Sequence, residues 1–394
     1  MDNHLRDKAC IVGIGQTLYT KRGALHEIGA LKLAVQAINA AAADAGIDVA
    51  DIDGFTSFCQ DVSTRPPYDL TMALPTRNLR YSSIVWGGGG SGLPTAVTDA
   101  AMAVTSGQAD FVVVVRSISQ GAFRMGGSWA DGYKDGLPLN TAHAIPMGFV
   151  VAPAIYAMRA RRHMAEYGTT EEHFAQVAIH SREMAATNPK AVMRRILTIE
   201  EHHASRMIAD PLRMFDCCME NDGAAALIVT TAERAKDLAK TPVYIHGTST
   251  KSVHRWSNPI AYREDTEYLA SSGHAAAAEE LYGKTGLGPD DVDVALLYDG
   301  TTAGLLLVLE DWGFCERGES GPFVASGGIK MDGRIPTNTH GGNLAEVYLQ
   351  GANHLVEAVR QLRGEACNQV PDAEIALYSS GVGYPPLGGV MLRR

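Results

Sequence analysis

The sequence predicts a layered α/β fold made of two tandem, pseudo-repeated halves, with a helical loop domain inserted in the first. Three observations carry this prediction. Gly46–Gly54 and Gly286–Val294 align without gaps at a separation of 240 residues, each after an Ala-rich helical segment and before a strand-like run. Ser91 to Gly107 and Tyr348 to Gly364 form a second pair. Each reads as a helix entered from a Gly-rich loop, stopped by glycine and followed by an apolar strand. Each half also opens on an apolar, Gly-containing segment, Ala9–Gly15 and Thr241–Gly247.

The elements follow in order. In the first half, residues 1–240, the strand at Ala9–Gly15 leads to a helix over Ala30–Ala45 and a strand at Phe55–Phe58. The helix 91–107 and the strand Asp110–Arg116 come next. In the second half, residues 241–394, the strand Thr241–Gly247 precedes a helix over Ser272–Lys284 and a strand at Ala295–Tyr298. The helix 348–364 and a strand at Glu374–Ser380 complete it. Continuous apolar strands alternating with helices imply parallel-rich sheets covered on both faces. The second pair is offset by 257 rather than 240 residues, so the halves differ by a loop insertion. The inserted segment, 120–209, is mostly helical in pattern and is expected over the mouth of the site.

Composition excludes several classes. With a net charge of −10 and no basic stripe interleaved with aromatics, a nucleic-acid role is not expected. The longest nearly uncharged stretch, Leu137 to Met158, is broken by Asn140, His143, Pro146, Gly148 and Pro153, so no membrane span is expected. The polar, acid-containing N-terminus is unlike a signal peptide. The six cysteines (Cys10, Cys59, Cys217, Cys218, Cys315 and Cys367) form no C-x-x-C pair, so neither a metal centre nor a disulfide scaffold is expected. A cytoplasmic protein is the expectation.

The chemistry points to glycines and tyrosines. Trp86–Gly92 reads Trp-Gly-Gly-Gly-Gly-Ser-Gly and runs straight into a helix, where backbone N–H groups converge on a ligand or a developing negative charge. Further segments accompany it: Ile11–Thr17, Tyr167–Glu171, Asn188-Pro189, Asp210–Arg213, Asp216–Cys218, Asp222–Ala226, Tyr298–Thr301 and Asn338–Asn343. In this order, across almost the whole chain, the set resembles the thiolase superfamily, and within it the sterol-carrier and lipid-transfer-protein type. The resemblance implies a thiolase-like αβαβα layering.

It also implies four site elements, and this chain departs from the family at each. The nucleophilic cysteine position falls on Gly89. The first residue of the tetrad that holds the oxyanion-hole water is Tyr298, followed by Asp299. The activating histidine, counted from Gly341-Gly342, is Tyr348. The C-terminal acid/base cysteine is missing from the loop Tyr378–Gly383. Two tyrosines in central slots make the chain resemble the steroid side-chain-cleaving aldolases of this superfamily, which split β-hydroxyacyl-CoA thioesters by retro-aldol reaction. Such a reaction needs no acyl-enzyme, so the loss of cysteine is permissible. Tyr348 is expected near the reacting hydroxyl with Tyr298 as its partner; which is base and which is acid stays open. An ordinary tyrosine pKa of about 10 calls for help, and Asp299 or His340 is a candidate relay. Gly89 and Gly90 are expected to offer N–H groups to the enolate, and Asp299, His340, Asn343 and Gly381 to stand with them at the substrate and oxyanion site.

The resemblance implies no metal and no cofactor, CoA being part of the substrate. It implies a homodimer that joins an OB-fold and zinc-ribbon partner in an α2β2 heterotetramer. Two rival functions remain: a Claisen-type acyl-CoA thiolase using another cysteine, with Cys59 the early loop candidate, and a non-catalytic acyl-CoA-binding subunit. Residues with plainer readings are His143 (binding or structural), the His202-His203 pair (a solvated helix face), and Arg161-Arg162 and Arg194-Arg195 (CoA phosphate contacts or surface charge).

Overall fold

The computed structural model describes residues 3–58, 67–85, 89–121, 146, 148–149, 151–252, 270–382 and 386–394. In chain order the first half supplies β1 (Ala9–Gln16), β2 (Thr20–Lys21), α1 (Gly29–Ala45), β3 (Gly54–Phe58), α2 (Pro67–Ala73) and β4 (Tyr81–Val85). Next come α3 (Leu93–Thr105), β5 (Val112–Ser119), α4 (Ala152–Tyr167), α5 (Glu171–Thr187) and α6 (Ile199–Ala204). The first half closes with β6 (Met207–Ala209), β7 (Leu212–Arg213), β8 (Asn221–Thr231) and α7 (Ala232–Ala235). The second half contains β9 (Val243–Ser249), α8 (Ala275–Thr285), β10 (Val294–Leu297), α9 (Thr302–Asp311) and α10 (Ser320–Ala325). It ends with α11 (Gly342–Ala345), α12 (Ala352–Arg363), β11 (Ile375–Ser379) and β12 (Gly389–Arg393).

The strands lie in the order β4-β3-β5-β8-β1-β9-β12-β11-β10, with β2 against β8 and β6-β7 as a separate ribbon. The halves meet at β1 and β9, where only Cys10↔Tyr244 and Ile11↔Val243 are in register. Outward from that seam, β8, β5 and β3 on one side mirror β12, β11 and β10 on the other. The repeat extends to local geometry. Gly46 and Gly286 both cap their helices with left-handed backbone, φ 72° and 74°. Each is followed by a single 3-10 turn, Val49–Asp51 and Pro289–Asp291.

The sheet corrects the expectation of parallel-rich pairing. β3 runs parallel to β4 and β5, and β10 parallel to β11. However, β8 is antiparallel to β5 and β1, and β12 is antiparallel to β11 and β9. The cause is the connections. The chain leaves β5 at its C-terminal end and returns from the inserted helices at that same end, so β8 must reverse. Only the nine residues between Ser379 and Gly389 separate β11 from β12, too few for the crossover that a parallel neighbour requires, so the pair is antiparallel.

Helices α3 and α12 fill the middle, each packing on strands of both halves. Leu93, Val97, Leu355 and Val359 share one core with Ile11, Val112, Leu296 and Leu392. On one outer face α1 packs Leu33 and Ile38 over Phe55 and Val113. On the other, α8 and α9 bring Leu281, Leu305 and Leu309 around Trp312. At about 1.5–3 kcal/mol per buried aliphatic side chain, these layers dominate the fold's stability. The α12 helix also buries polar residues, Asn353, His354, Glu357 and Gln361. Buried polar side chains need partners, and theirs lie beneath the site. Among the described residues no helix is long and apolar enough to cross a membrane.

Candidate active site

Three loop ends converge where the parallel strands finish, the usual position for a site on such sheets. Tyr298 follows β10, Ser380-Gly381 follows β11, and the 3-10 turn Gly89–Gly92 precedes α3. The Gly381 N–H donates to Gly90 O at 3.1 Å, which ties the two halves together.

The glycine loop makes room for a ring. A β-carbon on Gly90 would collide with Tyr298 Cε2 and lie 2.7 Å from Cζ. One on Gly300 would approach Cε1 to 2.9 Å, and one on Gly381 would approach Cζ to 3.1 Å. Tyr298 therefore sits in a cradle of three glycines, drawn from both halves of the chain. Its side is closed by α4, where Tyr156 Oη donates to Val382 O at 3.1 Å and stands near Gly300 and Gly304.

Tyr298 and Tyr348 meet through their hydroxyls. Tyr298 Oη donates to Tyr348 Oη at 2.9 Å, with the rings edge-on at 6.4 Å. Their environments differ: Tyr298 is 4% exposed, while Tyr348 is half-buried. Burial, and then the neighbouring Tyr348, hold the Tyr298 phenol well above its ordinary pKa. Tyr298 is thus a persistent proton donor, and the more accessible phenol receives its hydrogen bond.

Beneath the pair lies a buried polar layer. Asp299 accepts from the Asn343 and Leu344 N–H groups at 2.8 and 3.3 Å, and its Oδ1 lies 3.0 Å from His354 Nε2. Gly342 has φ 63°, and a β-carbon there would collide with Asp299 Oδ2. Gly342 is therefore what lets the carboxylate cap α11, while Gly341 makes room for Ala185. The His354 ring stacks on Tyr298 at 6.5 Å and meets the His340 edge at 4.8 Å.

His340 lies deeper still, with Nε2 3.3 Å from Asn353 Nδ2 and 3.6 Å from Glu346 Oε2. Burial lowers His340 well below its ordinary pKa and raises Glu346 to about 8, so both are neutral and the approach is not an ion pair. Asn188 Nδ2 donates to both His340 O and Glu346 Oε1, at 2.9 and 3.0 Å.

Several sequence expectations change here. Asp299 and His340 are not placed at the tyrosine hydroxyls: the first engages His354 and the backbone of α11, the second faces Asn353 and Glu346. The Gly381 N–H is committed to Gly90 O, so it shapes the site without facing an enolate. Asn343 is fully buried, its N–H on Asp299. Gly89 lies in the turn before α3. Tyr348 is not in a helix, because α12 begins at Ala352 after Gly351.

Sequence reasoning missed His354, the link between Asp299 and Tyr298. Its available signal was a lone histidine three residues after a helix-opening glycine. Tyr156 was missed because it lies within an otherwise ordinary helix.

The remaining candidates sort quickly. His202 is not on a solvated face: it is fully buried, with Nε2 2.8 Å from Asp216 Oδ1. Thr302 Oγ1 and the Arg213 N–H also reach Asp216, at 2.8 and 2.7 Å, so a buried acid drew the histidine inward. Arg161 pairs with Asp210, Arg162 with Glu166 and Arg195 with Glu201 at the surface, and Arg194 reaches Ala186 O. His143 and Cys59 lie outside the described residues. No group of three His, Cys, Asp or Glu among the described residues is arranged to hold a metal ion.

Known proteins share this architecture. Residues 9–233 match the family described as "Thiolase, N-terminal domain", and residues 252–386 match "Thiolase C-terminal domain-like". The chain is 40% identical over 390 residues to a steroid side-chain-cleaving aldolase of Thermomonospora curvata, covering 97% of each chain. It is 39% identical over 392 residues to a 17-hydroxy-3-oxo-4-pregnene-20-carboxyl-CoA lyase of Mycobacterium tuberculosis, covering 98% of this chain and 100% of that one. A solved structure described as an Ltp2-ChsH2(DUF35) aldolase superposes with a TM-score of 0.89 at 38% identity, covering 99% of each chain.

Proposed function

This chain belongs to the thiolase family, and we propose that it is an aldolase that cleaves the β-hydroxyacyl-CoA thioester of a steroid side chain by a retro-aldol reaction. The observation that carries this reading is the hydrogen-bonded pair Tyr298–Tyr348, two phenols in the slots that the resemblance gives to the oxyanion-hole residue and the activating histidine. The reaction balances on that pair. Tyr348, the more accessible phenol, takes the proton of the β-hydroxyl as its phenolate. The Cα–Cβ bond breaks, its electron pair passing to the α-carbon as a thioester enolate, while the β-carbon becomes a ketone. Protonation at the α-carbon, from the proton held on the pair, yields a short acyl-CoA. Tyr298, kept protonated by burial, stabilises the Tyr348 phenolate by its hydrogen bond. The proton leaves oxygen and returns to carbon, so the reaction needs no cofactor beyond the CoA carried by its substrate.

Substrates such as 17-hydroxy-3-oxo-4-pregnene-20-carboxyl-CoA fit this chemistry, because the 17-hydroxyl is β to the thioester. Cleavage gives a 17-ketone and propionyl-CoA; a shorter side chain gives acetyl-CoA. The backbone at the start of α3 is suited to the enolate oxygen, a role worth roughly 3–4 kcal/mol per donor. CoA thioesters are intracellular metabolites, in keeping with a cytoplasmic enzyme.

For assembly we propose a homodimer joined to an OB-fold and zinc-ribbon partner as an α2β2 heterotetramer. Among the described residues strand β4 ends the sheet and carries exposed Ile84, and α2 carries Tyr68 and Met72, 65% and 87% exposed. An apolar sheet edge of this kind favours pairing with a second copy.

The Claisen reading needs a thiolate. Burial pushes the Cys10, Cys217 and Cys315 thiols up to about 12 and Cys218 well above its ordinary value, and partial desolvation raises the exposed Cys367 to about 11. None of these five is held as a thiolate at neutral pH, so the Claisen reading rests on Cys59, which lies outside the described residues. A thiol-alkylating reagent tests the distinction: the aldolase reading expects β-hydroxyacyl-CoA cleavage that survives it, and the thiolase reading expects no such cleavage but β-ketoacyl-CoA thiolysis that the reagent abolishes.

A further inference from the structure

Tyr348 sits on a short loop between α11 and α12, outside any helix or strand, yet it must meet Tyr298 to within a hydrogen bond. A side chain from the other half of the molecule holds it. Asn221, fully buried at the start of β8, accepts the Tyr348 N–H on Oδ1 at 2.9 Å and donates from Nδ2 to Tyr348 O at 3.3 Å. The carboxamide thus reads both backbone polar groups of one residue, as a neighbouring strand would.

Asn221 is itself fixed. Its N–H donates to Gln120 Oε1 at 2.5 Å, and the Gln120 N–H donates to Asp222 Oδ1 at 2.8 Å. The far oxygen of Asp222 accepts the Leu25 N–H at 3.0 Å. The same device serves the partner tyrosine. Asn338 accepts the Leu297 N–H and donates to Leu297 O, both at 2.8 Å, one residue before Tyr298.

We propose that Asn221 is a positioning residue for the reaction: its carboxamide clamps the Tyr348 backbone and so sets the distance between the two tyrosine hydroxyls. The inference rests on the aldolase reading for its effect on turnover, but the clamp itself is geometric. Misplacement of a reacting group by about 1 Å is enough to cost roughly 100-fold in rate. Substrate binding away from the hydroxyl pair is unaffected by that displacement.

The test uses the full chain with its partner protein and a β-hydroxyacyl-CoA thioester of a steroid side chain as substrate. N221A and N221D are compared with wild type, each also in a Y348F background. N221D keeps the volume and the acceptor for the Tyr348 N–H but replaces the donor to Tyr348 O, and a melting curve on each variant separates a lost clamp from a lost fold. The expected result is a kcat loss of roughly 100-fold in N221A with KM little changed, a smaller loss in N221D, and almost no added loss when Tyr348 is already phenylalanine. A wild-type kcat in the folded variants, or the same fold loss with and without the Tyr348 hydroxyl, overturns the proposal. If wild type itself fails to cleave the thioester, the aldolase reading fails. The clamp is then judged from crystal structures of N221D and wild type: a separated hydroxyl pair supports it, and an unmoved Tyr348 overturns it.

Discussion

At the scale of single residues, Tyr298 is sealed among glycines while Tyr348 is half-buried, and this asymmetry divides their chemistry. Replacing either phenol with phenylalanine should lower kcat by about 10²–10⁴-fold, the range of a lost acid or base, without changing thermal unfolding. Steady-state cleavage kinetics beside a melting curve checks both halves of that statement. Gly90 is tied to Tyr298 by contact, so G90A should destabilise the fold by about 1–3 kcal/mol and lower turnover, as overpacking does. Denaturant unfolding of G90A, alone and with Y298A, reads the coupling: the glycine's cost should shrink once the ring is gone.

Glu346 gives a pH signature. Burial keeps it protonated up to about 8, whereas an unfolded glutamate releases its proton near ~4.3. The folded state binds more protons across that window, so this group's contribution makes stability fall as pH rises through it. Unfolding free energies at pH 5, 7 and 9 should therefore show E346Q gaining on wild type with rising pH.

At the scale of elements, the sequence was most legible where a repeat imposed it. The glycine stops at 46 and 286, the apolar strands β3, β5, β10 and β11, and helices α1, α3 and α8 follow from periodicity and helix-stop glycines. Strand β8 was not legible as a strand, because Gly-Ala-Ala-Ala has helix-like composition and its direction depends on where the inserted helices return. The tyrosine slots were found through resemblance, whereas their glycine cradle gathers Gly90, Gly300 and Gly381 around Tyr298 from both halves of the chain.

His202 misled for a related reason: neighbouring histidines point to different faces of α6, and only the fold shows that Asp216 waits behind one of them. H202A should leave that buried carboxylate short of a partner and cost about 1–3 kcal/mol of stability, measured by denaturant unfolding.

At the scale of the whole molecule, the site exists because two halves close on each other. Gly90 and Asn221 come from the first, and Tyr298, Tyr348 and Gly381 from the second. The proposed homodimer, joined at the β4 edge, would extend this logic to a second copy. An I84K M72D variant should elute as a monomer where wild type elutes as a dimer, by light scattering at matched concentration. The most direct test of the central claim is a product assay on 17-hydroxy-3-oxo-4-pregnene-20-carboxyl-CoA, with this chain alone alkylated beforehand by iodoacetamide and untreated partner protein then added. The account predicts equal amounts of 17-ketone and propionyl-CoA from wild type and almost none from Y348F. Cleavage by Y348F at the wild-type rate, or its abolition by alkylation, would contradict it.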